Sequence, residues 1–117
     1  MLLPERFKEI LSTKGRDLTE IGLHDVALSK QDAIEAIRSL LGHEIAVLGG
    51  DVYYEKEGRI RPRLHNWFCE KQPNEHPFEF TKRSQIVALN FVQDYDASAE
   101  SNAFFVLVVS ELGIVGL

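Results

Sequence analysis

The side chains of this sequence that could do chemistry are one cysteine, four histidines and an aspartate that follows two glycines. Asp51, with His65 further along the chain, could serve as a general base or a metal ligand. An aspartate after two glycines more often accepts hydrogen bonds from nearby backbone amides in a turn, so we favour a structural role. The histidines have no metal-ligand spacing, and a single cysteine cannot build a thiolate zinc site.

Cys69 is the only candidate for a nucleophilic thiol. A reactive cysteine needs a base that the fold brings close and surroundings that favour the thiolate. Glu70 follows it directly, and a neighbouring negative charge works against a thiolate. We therefore predict that the protein is not an enzyme and that it holds neither a cofactor nor a metal.

A stripe of arginines lies close in sequence to several aromatic residues: Arg59, Arg61, Arg63, Tyr53, Tyr54 and Trp67. Arginines beside aromatic rings occur on surfaces that bind single-stranded nucleic acid, so an RNA-binding or small regulatory module is one hypothesis. The competing interpretation is pairing across a hairpin, with Glu55 opposite Arg59. Tyr53 would then face Arg61. The net charge of −5 favours pairing, and RNA binding stays the alternative hypothesis.

Length and composition indicate one domain over residues 1–117 in a cytoplasmic protein. Of the 117 residues 44% are apolar, which suffices for one hydrophobic core. A single cysteine excludes an intrachain disulfide, and this suits a reducing cytoplasm. The N-terminus lacks a basic start and an apolar core, so we expect no signal peptide. The longest apolar run, Ala103–Val109, is far too short to span a membrane.

Apolar periodicity predicts three helices. The first begins at Pro4, a residue suited to the first turn, and ends at residues 13–15. The second begins after Ser29 as its N-cap and ends at Gly42 in a left-handed cap. The third and longest runs from about residue 77 to residue 95, with Gln85 mainly away from its apolar face.

Four strands are predicted: two before a hairpin turn, one after it, and one near the end of the chain. Ile45–Leu48 should stop at the glycine pair, after which Asp51–Tyr54 should start a second extended run. Residues 56–58 should turn the chain, with Gly58 in the left-handed position of a three- to five-residue loop. Phe104–Val109 has the apolar pattern of a strand buried on both sides, and we expect it near Ile45–Leu48 in the middle of the sheet.

The return strand of the hairpin, Arg59–Leu64, contains Pro62. Proline cannot donate to a β-ladder, and this favours an edge position. The order of helices and strands predicts an α+β fold, a single domain in which about three helices pack on a small, mostly antiparallel sheet.

The run Gly49–Tyr54, followed by the turn at residue 58 and by Asn66-Trp67, resembles the immunity protein 40 family. These are small bacterial proteins associated with polymorphic toxin systems such as contact-dependent inhibition. The resemblance covers residues 27–109. Its shared positions are structural rather than catalytic, with a buried tryptophan: Gly49, Gly50, Asp51, Gly58 and Trp67.

Membership would imply that the protein protects its own cell by binding a cognate toxin domain and occluding its active site. Many such toxins are nucleases with basic phosphate-binding surfaces, so an acidic inhibitor would be steered onto them. We expect no direct contact with nucleic acid and none with a membrane. The candidate contacts are aromatic anchors and an acidic rim, at the hairpin tip and after the long helix: Tyr53, Tyr54, Glu55, Glu57, Asp94, Asp96 and Glu100.

Overall fold

Three α-helices and five strands account for most of the residues that the computed structural model describes, 3–95 and 102–111. In chain order they are α1 Glu5–Lys14, β1 Arg16–Asp17, β2 Val26–Ser29, α2 Lys30–Leu40, β3 Ile45–Lys56, β4 Arg59–Phe68, α3 Pro77–Asp94 and β5 Asn102–Glu111, with a short 3₁₀ turn at Thr19–Ile21. Ser29 caps α2 as predicted, because its Oγ accepts the Asp32 N–H at 3.3 Å. Gly42 follows α2 with a φ of 84°, which confirms the left-handed cap.

All five strands belong to one antiparallel sheet in the order β1-β2-β5-β3-β4. The α+β prediction is therefore confirmed. So is the central position of the last strand, since β5 pairs with β3 from Ile45 to Glu55. The proline-containing strand β4 lies at an edge, as its missing N–H donor requires.

The glycine pair lies inside β3, so the prediction that a strand stops there was wrong. The register of β3 against β5 shifts between Val47 and Gly49, which is where the strand absorbs an irregularity. At Gly49 a Cβ atom would stand 2.3 Å from the Trp67 carbonyl oxygen. Gly49 therefore allows the backbone of β4 to approach β3 closely. It does not end the strand.

The hairpin between β3 and β4 turns through two residues only. Glu57 has a φ of 54° and Gly58 one of 79°, the pair of positive values that a type I′ turn requires. The predicted loop of three to five residues was too long. The residues that pair between β3 and β4 therefore differ from those predicted. Lys56 pairs with Arg59, and Tyr54 with Arg61.

The three helices pack on one face of the sheet, which we call the helix face. Its core joins Phe7 and Ile37 of the first two helices to Val47, Val52 and Phe105 of the strands. Trp67 of β4 is buried on this face, as predicted, and stacks on Phe91 of α3 with ring centroids 4.4 Å apart. Gly50 lies under the same indole, because a Cβ there would come within 2.4 Å of Trp67 Cη2.

Buried polar side chains of α3 attach the helix to the end of α2 and the start of β3. Gln85 Nε2 lies 2.9 Å from the carbonyl oxygen of Leu40 and 2.8 Å from that of Ile45. Ser84 Oγ accepts the Val47 N–H at 3.0 Å. Periodicity predicted Gln85 away from the buried side, and this was wrong because its amide satisfies the last carbonyls of α2.

The other face of the sheet, which we call the open face, is covered only in part. Residues 18–23 fold over it near the hairpin, where Leu18 packs with Tyr53, Ile60 and Val106. Val108 lies beyond this cover and is exposed. The prediction that β5 is buried on both sides therefore fails at Val108.

We predict that Gly50→Ala lowers the free energy of unfolding by about 3 kcal/mol, at the upper end for overpacking, because the methyl group would meet both the Trp67 ring and the Val106 carbonyl at 2.4 Å. Gly22→Ala is the control, since it has open space and incurs only left-handed strain of about 1 kcal/mol. Urea denaturation followed by the emission of the one tryptophan measures both. Unchanged stability and emission in Gly50→Ala would contradict this packing.

Candidate partner-binding surface

The acidic residues predicted at the hairpin tip differ in their surroundings. Glu55 is half-buried and forms an ion pair with Arg16 of β1. The same guanidinium donates to the Gly58 carbonyl oxygen at 2.9 Å, so Arg16 ties the N-terminal segment to the hairpin turn. Glu57 is exposed in the turn itself. Of these two carboxylates, Glu57 is the one with access to a partner.

The two adjacent tyrosines face opposite sides of the sheet. Tyr53 is buried against residues 18–23, and burial raises the pKa of its hydroxyl, with smaller contributions from the charges of Asp51 and Asp25. Tyr54 is half-buried, and the Arg63 guanidinium lies 5.0 Å from its ring centroid. Tyr54 is therefore the more accessible of the two predicted anchors.

The predicted acidic rim after the long helix begins at Asp94, the exposed last residue of α3. Asp96 and Glu100 lie outside the described residues. Next to Asp94, the Tyr95 hydroxyl is 2.7 Å from His65 Nδ1 of β4, and Lys30 Nζ donates to the Tyr95 carbonyl at 3.0 Å. These contacts fix the end of α3 against β4.

The arginines of β4 are not paired as the sequence interpretation proposed. Glu55 bonds to Arg16 instead of Arg59, and Tyr54 rather than Tyr53 pairs in register with Arg61. Arg59 and Arg61 are exposed, and neither forms an ion pair with a residue that the structure describes. The surface of the hairpin that carries Arg59 and Arg61 is consequently basic, although the chain as a whole is acidic.

Asp51 lies on the open face, because its neighbours Gly50 and Val52 face the helices and side chains alternate along a strand. Its carboxylate forms no hydrogen bond or ion pair with any residue in ranges 3–95 and 102–111. The expected bonds to turn amides were wrong, since Asp51 is inside a strand and not in a turn. His65 is engaged by Tyr95 rather than by Asp51.

Cys69 is buried at the end of β4, where Arg83 Nη1 lies 3.2 Å from its Sγ. Arg83 also donates from Nε and Nη2 to the Glu75 carboxylate, each at 2.7 Å, and to the Glu70 carbonyl at 2.7 Å. This bidentate pair fastens the loop after β4 to α3. Within the described part of the chain, no group of three or more His, Cys, Asp or Glu side chains could hold a metal ion.

Three exposed apolar side chains beside Asp51 were not predicted as contacts. Phe68 is 73% exposed, Leu64 97% and Val108 46%. Phe68 and Val108 both pair with Gly49, so they flank a position without a side chain. Side chains alternate between the two faces of a strand, so a buried Trp67 places Phe68 on the opposite face. This alternation is the sequence pattern from which the exposure of Phe68 could have been predicted.

We name this surface the Asp51 patch, and it consists of Asp51, Asn66, Leu64, Phe68 and Val108. Two adjoining clefts share its cross-strand pair Asp51 and Asn66. One, of about 210 Å³, lies between Phe68 and Val108 over the glycine pair. The other, of about 330 Å³, lies beside Leu64, where the register between β3 and β4 shifts. The patch is shallow and apolar at its margins, and the carboxylate in its middle has no hydrogen bond or ion pair with a described residue.

The fold and this surface define a small α+β protein with helices on one face of an antiparallel sheet and a partly uncovered second face. The chain belongs to the immunity protein 40 family, whose model matches residues 17–109, or 93 of the 117 residues. The match begins ten residues earlier than the resemblance read from the sequence, so the segment covering the open face is part of the family's fold. Neither the curated proteins nor the solved structures contain a match to this chain. None of the helices in the described ranges is long and apolar enough to cross a membrane.

The ion pair between Glu75 and Arg83 should make folding pH-dependent. The Arg83 hydrogen bonds lower the pKa of Glu75 from 4.5 to about 2, helped by the Gln72 N–H. A lowered pKa in the folded state stabilises the protein above pH 4.5, and this stabilisation is lost as the pH falls to about 2. We predict that Glu75→Gln is less stable than the wild type at pH 7 and that the difference disappears towards pH 2.

Urea midpoints measured from pH 7 to pH 2 check this prediction. Glu44→Gln is the control, because Glu44 is exposed and has no ion pair with a described residue. It should follow the wild-type curve throughout. A Glu75→Gln curve parallel to that of the wild type would show that the pair contributes nothing to the pH dependence.

Proposed function

We propose that this protein is a non-enzymatic immunity protein that binds a cognate toxin domain in the cytoplasm and blocks its active site or the approach of its substrate. Membership in the immunity protein 40 family is the observation that carries this proposal. The family implies a toxin as partner, and inhibition by binding requires only a specific surface. An ordinary interface needs about 800 Å² from each partner, which a domain of this size can supply.

Charge supports a basic partner, such as a nuclease. The net charge of −5 would steer the protein towards a phosphate-binding surface, and association would slow as salt rises. Of the residues proposed from the sequence, Tyr54, Glu57 and Asp94 are accessible for such contacts. Tyr53 and Glu55 would act indirectly, by holding the hairpin in place. Asp96 and Glu100 remain proposed members of the same acidic rim.

Co-expression with a candidate toxin domain cloned from the gene next to this one tests the function. Cells that carry the toxin with an empty vector should die, and cells that also express this protein should survive. The two proteins should copurify, since the inhibitor acts by binding. Death of cells in which the inhibitor is abundant and folded would refute the function.

A second candidate function is RNA binding by the arginine stripe of β4. The exposed positions of Arg59 and Arg61, neither of which is paired with a described residue, are the observation that favours it. Tyr54 pairs in register with Arg61 on the same side of the hairpin, so a base could stack there next to a cationic side chain.

This second function predicts that the protein binds a fluorescein-labelled single-stranded RNA at low salt, with affinity that falls steeply as salt is added. Arg61→Ala should weaken binding, because it removes a phosphate contact. Arg38→Ala, an exposed arginine on α2, is the matched control. Fluorescence anisotropy measures all three proteins, and absence of binding at low salt would eliminate RNA as a partner.

A further inference from the structure

The Asp51 patch differs from the rest of the described surface in having an unpaired carboxylate within an apolar surround. Glu55 and Glu75, in contrast, are neutralised by Arg16 and Arg83. Phe68 is mostly exposed although it follows the buried Trp67 directly. A single exposed aromatic side chain is common, but Phe68 and Val108 are both exposed and line one cleft, and apolar side chains grouped in this way indicate a surface that a partner covers.

We propose that the Asp51 patch is the docking surface for the toxin, and that its occupant is a basic segment whose lysine or arginine side chain lies between Phe68 and Val108 and pairs with Asp51. This inference rests on the proposed function. The stem of such a side chain is apolar and would cover the two flanking residues, while its cationic end would reach the carboxylate. Leu64, on the other side of Asp51, would exclude water from the ion pair.

The shape of the patch fits one long side chain. The cleft over the glycine pair has a volume of about 210 Å³ and is open because Gly49 places no side chain between Phe68 and Val108. Asn66 lies opposite Asp51 on β4 and offers an amide for a second hydrogen bond.

Local charge selects a cationic occupant. Among the described residues that line the cleft over the glycine pair, Asp51 is the one charged side chain, whereas Arg63 lines the adjoining cleft beside Leu64. A desolvated charge pair at the centre of an interface, surrounded by apolar contacts, is the arrangement in which single residues carry much of the binding energy.

Two other surfaces are less suited to this partner. The free edge of β4 contains Pro62 and the register shift after it, and both interrupt the ladder that an added strand would need. The cleft of about 290 Å³ between α3 and the α2–β3 loop is lined by Phe78 and by two side chains of opposite charge, Glu44 and Lys82, so its charge does not favour a cationic occupant. Its buried amide, Gln85, is already engaged by backbone carbonyls.

Affinity for the same candidate toxin domain, measured by calorimetry with the full chain, tests this inference. Phe68→Ser should weaken binding at least tenfold, because it removes one wall of the cleft. Asp51→Asn should weaken binding about tenfold and flatten its dependence on salt, because it removes the charge but keeps the size. Phe78→Ser and Glu44→Gln are matched controls on exposed residues elsewhere, and both should bind within about twofold of the wild type.

Thermal unfolding of the isolated variants provides the second readout. Phe68→Ser and Asp51→Asn should unfold at the wild-type temperature, since Phe68 is mostly exposed and the half-buried Asp51 carboxylate has no hydrogen bond or ion pair with a described residue. A lowered unfolding temperature for Phe68→Ser would mean that the chain itself covers Phe68, and would overturn the proposal. So would a wild-type dimer that Phe68→Ser converts to a monomer without a change in toxin affinity.

Failure of the docking surface is distinguishable from failure of the function. If the wild type binds the toxin and both patch variants bind equally well, the function stands and the patch is wrong. If the wild type does not bind, both proposals are wrong. Weaker binding by Phe78→Ser alone would place the interface on α3 instead.

Discussion

The structure depends on the contact between Trp67 and Gly50. The indole lies over a strand position without a side chain and under the Phe91 ring, so it joins the edge strand β4 to both β3 and α3. An aromatic ring above a cross-strand glycine restores the packing that glycine lacks. Because side chains alternate, turning Trp67 inward also turns its neighbour Phe68 outward. The same packing that builds the core therefore generates the exposed aromatic side chain on the open face.

Beyond the end of β4, the backbone of β3 finds its partners in the residue that follows β4 and in α3. Cys69 N–H donates to the Leu48 carbonyl at 2.8 Å, and Val47 N–H donates to Ser84 of α3. Buried backbone groups left without partners would each cost about 1–3 kcal/mol. Ser84 and Gln85 thus determine where α3 lies and keep the start of β3 rigid without a strand on that side. A rigid β3 holds Gly49 and Asp51 in a fixed position between their flanking strands.

The sequence predicted what local patterns encode. The bounds of α3, the central last strand and the edge strand follow from periodicity, proline chemistry and composition, and the buried tryptophan follows from the family resemblance. It did not predict Gln85 as a buried residue, because the carbonyls that it bonds to come together only in the folded chain. Glu55 and Arg16 are 39 residues apart, so no local signal could pair them. Asp51 was misjudged because glycines that permit a close strand approach resemble glycines that make a turn.

Net charge is a poor guide to which part of this surface meets a partner. The net charge of −5 is a sum over the whole chain. It includes ion pairs that cancel locally, the exposed arginines of β4, and a few acidic side chains without an ion pair among the described residues. At physiological ionic strength a charge acts over about 8 Å, so a partner in contact responds to the nearest groups rather than to the total. At the hairpin those groups are Arg59 and Arg61, whereas in the middle of the open face the nearest is Asp51. A basic partner steered by the overall charge would therefore turn away from the hairpin and meet the open face, where the exposed apolar residues also lie.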